Sequence, residues 1–215
     1  MGTFNTVLVG IIVANVLFSY KGFNDYAFFR KYEFHIGSIR SGEQIRMLSS
    51  GFLHVDIMHL VLNMYTLWIF APVVIDTLGT ISFAMIYFGS LIFGNLLTMF
   101  FHKNDYSYRA VGASGAVTGI LYAAILLYPD MTLGIFFVLP MPAYLFGILY
   151  LLYSIYGMKA KNDNIGHTAH FGGAMGGYLI TLIKMPSLFA DHTLMTILLA
   201  IPIIILFGMA KLGKL

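Results

Sequence analysis

The chain has 215 residues, of which 59% are hydrophobic and only 10% charged, and its mean hydropathy is +0.85. A soluble domain carries roughly 25% charged residues, so this chain lacks the charge to cover a water-facing surface and reads as an integral membrane protein. The net charge of +3 comes with no basic stripe or RNA-binding motif, which argues against a nucleic-acid partner, and the absence of cysteine excludes disulfides, thiolate nucleophiles and thiolate metal sites.

A membrane-spanning helix needs about 20 mostly apolar residues, and the gaps between charged residues define seven such stretches. Residues 1–20 form the first span, which lacks the positive n-region of a cleavable signal. Residues 21–56 follow as the one long connection, with five Lys/Arg (Lys21, Arg30, Lys31, Arg40, Arg46) and many aromatics, a mixture suited to a folded loop in the interface. The remaining spans are expected at 57–75, 77–102, 110–129, 131–158, 164–183 and 192–210, joined by short connections. In span five, "LPMPAY" sets Pro140 and Pro142 where they are expected to kink or loosen a helix. The stretch 158–169, "MKAKNDNIGHTA", reads as a capping loop. No internal repeat or linker is evident, so residues 1–215 form one domain: a polytopic all-α helical bundle with a core over about 1–185 and an additional span at about 192–210.

By parity, spans two, four and six begin on one membrane face, and near their beginnings sit His59 and Asn63, Ser114, and His167 and His170. At 1.5 Å per residue, Ser114 is expected about 6 Å below its span's start, and Asn63 and His170 about 9 Å below theirs. Ser114, in "AVGASGAVTGI", is weak evidence by itself, since serine and glycine commonly line helix–helix seams in membranes. His170, in "GHTAHFGGAMGGYL", is an ionisable group inside a span, which is expensive and usually functional. Gly115/Gly119, Gly172/Gly176 and Gly173/Gly177 are three GxxxG pairs on the spans of Ser114 and His170, and Gly112 also neighbours the serine. Such small faces let backbones approach closely enough for a short serine side chain to reach an imidazole. His59 and Asn63 stand at i and i+4, on one helix face, where two donors could stabilise an oxyanion. His54, about 140° away around a helix, suits a supporting hydrogen-bond network.

A zinc site using His54, His59, His167 and His170 lacks an HExxH motif and a buried acidic base, Asp56 lying at the water boundary. No metal or other cofactor is expected. The soluble-type G-x-S-x-G elbow also fails, since Ala116 stands two residues after Ser114. No carboxylate in span six is available to orient His170, so two residues rather than a triad are expected to carry the chemistry.

Arg46 followed by His54, "HLVLN" with His59 and Asn63, "GASG" around Ser114 and "AHFGG" around His170 together resemble the rhomboid family of intramembrane serine proteases. The resemblance covers roughly residues 40–185, and the last span resembles the six-plus-one arrangement of part of the family. It implies Ser114 as nucleophile, His170 as base, and an oxyanion hole from His59, Asn63 and the backbone N–H groups of Ser114 and Ala113. His54, Arg46, Thr118, Gly112, Gly115 and Gly173 are implied as supporting residues. The chain departs from the family pattern in three places. Ile45-Arg46 replaces a common Trp-Arg, Ile75-Asp76 replaces a Glu, and Thr118 stands where many members stack a Tyr on the histidine.

The implied activity is serine-type endopeptidase cleavage of single-pass transmembrane proteins, entering laterally from the lipid between spans two and five. A non-catalytic relative that binds membrane helices is the alternative. A transporter would carry polar residues across the whole bilayer, and here they cluster in one half. Eleven Lys/Arg fall on the active-site face against Lys184 opposite, which under the positive-inside rule points that face to the cytoplasm. The resemblance implies the opposite: a bacterial inner membrane with the site on the extracytoplasmic side. The expectation follows the resemblance.

Overall fold

The computed structural model describes residues 5–135, 139–160 and 165–215. Helix α1 (Thr6–Asn24) starts where the Asn5 side chain accepts from the Val7 and Leu8 N–H groups, and it ends four residues beyond the expected span. The Asp25 carboxylate then caps the next helix, α2 (Tyr26–Tyr32), by accepting from the Phe28 N–H at 2.9 Å. The interfacial segment is folded throughout. After α2 come β1 (Phe34–His35), α3 (Ile36–Arg40), α4 (Arg46–Ser49) and a 3-10 turn over Ser50–Phe52. Arg46 is buried and donates to the Arg30 and Glu33 carbonyls at 2.8 and 2.9 Å while pairing with Glu43. Ile45, which precedes it, is exposed.

Helix α5 (Ile57–Phe101) contains both the second and third spans, separated at Gly79, where φ 83° and ψ 163° are not helical. A straight helix would put His59 and Asn95 about 54 Å apart, yet both line the same cavity, so the chain doubles back at Gly79. Glycine alone adopts that φ without strain. Asn5 donates to Thr80 at 2.7 Å, which holds the turn against the start of α1.

Helix α6 (Ser114–Leu127) begins four residues later than expected because residues 109–112 do other work. Arg109–Ala110 is β2, paired antiparallel with β1, and Gly112 has φ +131°. At 14 residues α6 is about 21 Å long, shorter than the roughly 30 Å hydrocarbon layer. Every residue from Gly115 to Leu127 is buried, so α6 is the core helix of the bundle, with α5 and α8 packed around it.

Span five is shorter than expected. Strands β3 (Thr132–Ile135) and β4 (Leu139–Pro142) pair antiparallel, and α7 (Ala143–Ala160) follows. Pro140 and Pro142 lie in β4 and kink no helix; in a two-stranded ribbon a proline can turn its missing donor to the unpaired edge. Helix α8 (His167–Lys184), a short α9 (Leu188–Asp191) and α10 (Thr193–Lys211) complete the chain. Of the expected capping loop, residues 158–160 end α7 and 167–169 open α8, while 161–164 lie outside the described residues. Lys103 and Lys211 line one pocket with Phe100 and Phe207, so the ends of α5 and α10 share a face.

The glycine pairs are used on two sides of α8. A Cβ on Gly173 or Gly177 would collide with the Gly115 or Gly119 carbonyl of α6, and one on Gly172 would meet the Gly94 Cα of α5 at 2.8 Å. Two backbones thus approach α8 with no side chain between, as small-xxx-small faces permit. The architecture is the expected all-α membrane bundle.

Candidate functional site

The starts of three helices set the polar layer. His59 is the third residue of α5 with Asn63 one turn below, Ser114 is the first residue of α6, and His170 lies in the first turn of α8. Ser114 and His170 are therefore nearer their helix starts than the span positions suggested. All four side chains line one cavity of about 830 Å³, together with Thr118 and Tyr150.

The chain entering α6 is held from several directions. The Gly112 N–H donates to the Ser50 carbonyl at 3.0 Å. The Ala113 N–H, expected to serve an oxyanion hole, is directed at His54 Nε2, 3.5 Å away. His54 is fully buried, its Nδ1 lies 2.8 Å from Ser19 Oγ, and that hydroxyl donates to the Phe52 carbonyl at 3.0 Å. Every contact is satisfied by neutral His54 with its proton on Nδ1. Burial, with the neighbouring His59 ring adding to it, pushes its pKa down to about 3. Glu33, also buried, accepts from Arg30 and Arg109 and links the interfacial segment to β2.

Helix α6 has no side-chain cap, and its first intrahelical bond runs from the Val117 N–H to the Ala113 carbonyl. The Ser114 N–H thus belongs to the first turn, whose donors have no partner inside the helix. A Cβ at Gly112 would sit 2.9 Å from His59 Nε2 and 3.7 Å from Ser114 Oγ, so the glycine keeps the space between those atoms empty. Asn63 Nδ2 donates to the His59 carbonyl at 3.1 Å, which uses one of its two N–H groups.

His170 is engaged by a residue that the sequence did not single out. Tyr150 of α7 brings its hydroxyl to 2.9 Å from His170 Nδ1, and the two rings stack with centroids 6.1 Å apart and 21° between planes. Thr118 Oγ1 lies 3.3 Å from the same hydroxyl. The only advance signal was the small residue at 118, which leaves room for an aromatic from elsewhere; nothing in the sequence said which.

The Rhomboid domain family matches residues 41–187 of the chain. The RHOMBOID-like protein 12 of Arabidopsis thaliana mitochondria is 28% identical over 78% of this chain and 55% of its own length. YdcA of Bacillus subtilis, a candidate rhomboid protease, is 31% identical over 67% of this chain and 69% of its own. The mitochondrial Rhomboid protein 1 of Saccharomyces cerevisiae is 30% identical over 63% and 40%. The chain thus spans about half the length of the plant relative and less of the yeast one. With two of these three relatives mitochondrial, the expectation of a bacterial inner membrane gains no support. A domain match over more than half the chain, carried on an all-α membrane bundle, makes this protein a member of the rhomboid family.

Proposed function

We propose that the protein is an intramembrane serine endopeptidase that cuts transmembrane or juxtamembrane segments of single-pass membrane proteins with a Ser114–His170 dyad. The observation that carries this reading is that Ser114, His170, His59 and Asn63, from three separate helices, line one cavity near a single face of the bundle. Tyr150 occupies Nδ1 of His170, so Nε2 is the nitrogen for the serine proton. As Ser114 Oγ attacks the scissile carbonyl, Nε2 takes that proton and later delivers it to the leaving amine. The carbonyl oxygen becomes an oxyanion in the space beside Gly112, where His59, the second N–H of Asn63 and the Ser114 N–H are the donors. Water then hydrolyses the acyl-enzyme by the reverse sequence. Leu62 and Thr66 of α5 and Phe146 and Tyr150 of α7 all line the cavity, which supports entry of a substrate helix from the lipid between those elements. The active-site face is extracytoplasmic in this reading.

The test uses purified protein in detergent with a model single-span substrate. Ser114→Ala and His170→Ala each abolish product, and a fluorophosphonate labels only protein that retains Ser114. Labelling that survives Ser114→Ala moves the nucleophile elsewhere, and wild-type protein that neither labels nor cleaves is a helix-binding relative.

A further inference from the structure

We infer that Tyr150 is the positioning residue for His170, replacing from α7 the aromatic partner that many rhomboids carry at the position of Thr118; this rests on the dyad reading above. The hydroxyl of Tyr150 stands 2.9 Å from His170 Nδ1 and 3.3 Å from Thr118 Oγ1, so one phenol joins all three helices. Phe146, one turn earlier on α7, stacks on Tyr150 with centroids 5.8 Å apart and 15° between planes, which supports the phenol from its own helix.

A serine's general base must present an unprotonated Nε2, which puts the proton of the neutral ring on Nδ1. In that tautomer Nδ1–H donates to the Tyr150 oxygen, and the Tyr150 O–H donates to Thr118 Oγ1. The hydrogen-bond chain accommodates the reactive tautomer and fixes the plane of the ring, as an outer partner does for any working histidine. Thr118 is buried against this hydroxyl, and a larger side chain there would occupy the space that Tyr150 fills. The two positions work as a pair: a small hydroxyl residue on α6 and a long phenol on α7. Because α7 carries the phenol, His170 is aligned only while α7 is seated against the bundle.

Tyr150→Phe keeps both ring stacks and removes only the hydroxyl. It is expected to lower kcat about ten-fold, the effect of one lost hydrogen bond, with KM within two-fold of wild type and an unchanged melting temperature. Fluorophosphonate labelling of Ser114 should slow by a similar factor. Tyr150→Leu, which also removes the stack, should cost about ten-fold more. A Tyr150→Phe enzyme with wild-type kcat, or one whose loss lies entirely in KM, overturns the inference. In that case wild-type protein still labels at Ser114 and cleaves, whereas failure of the dyad reading would leave wild-type protein without either property.

Discussion

His54 and Ala113 are joined across the approach to α6: the backbone N–H of Ala113 points at Nε2 of the buried imidazole, 3.5 Å away. The ring can accept only while neutral. Its pKa is held near 3 in the folded protein, against an ordinary value of 6.5, so between those limits the unfolded chain binds a proton that the folded one does not. Stability from this group is complete above pH 6.5 and drains away as pH falls toward 3, by about 5 kcal/mol at most. Thermal melts from pH 7.5 to 4.5 should show the wild-type melting temperature falling with acid more steeply than that of His54→Gln. Parallel curves would show that His54 is not the group responsible.

The seam between α6 and α8 gives a packing prediction. Gly173→Leu and Gly177→Leu place side chains into the Gly115 and Gly119 carbonyls, and each should destabilise by about 3 kcal/mol or more. Gly10→Ala, with nothing within 4 Å of its new Cβ, should melt with wild type. Equal melting of all three variants would mean that these helices can separate freely.

Gly112→Ala combines two faults, a strained φ of +131° and a methyl within 3 Å of the His59 ring. The methyl fills the space proposed for the oxyanion, and turnover should fall by about 10²–10³, the range for losing one oxyanion donor. Asn63→Ala should fall in the same range without changing the melt. Turnover retained within a few-fold in both variants would locate the oxyanion elsewhere.

Arg46 makes two backbone hydrogen bonds and one ion pair from a buried position, a fork that lysine cannot reproduce. Arg46→Lys and Glu33→Gln should each loosen the interfacial segment, visible as faster limited proteolysis within residues 25–56 and a melting temperature lowered by several degrees. The Arg109 partner of Glu33 is partly exposed, so water softens the second effect. Proteolysis at the wild-type rate would show that other contacts hold the segment.

The natural lack of cysteine makes orientation directly measurable. Ser41→Cys on the active-site face and Ser187→Cys beyond the far end of α8 are both exposed positions. In intact cells expressing the protein, an impermeant maleimide should label Ser41→Cys and spare Ser187→Cys. The reverse pattern would put the active site on the cytoplasmic side, as the distribution of Lys and Arg would have it.

The sequence by itself determined the class of molecule, the order of its membrane helices, and the residues that mark the family, because hydrophobic length and charge spacing are local properties of a chain in lipid. His59 and Asn63 on one helix face and the three glycine pairs were legible for the same reason: spacing along one helix fixes its faces. What the sequence left open depended on contacts between distant segments. The late start of α6 follows from the pairing of Arg109–Ala110 with Phe34–His35 and from the left-handed backbone at Gly112. The paired strands Thr132–Ile135 and Leu139–Pro142 lie in an apolar run that hydropathy alone read as helix, since an apolar sequence is equally compatible with either. The direction of the Ala113 N–H was decided by a histidine 59 residues away. The partner of His170 came from another helix altogether, because hydrogen-bond geometry is set by where α7 lies and not by any spacing in the chain.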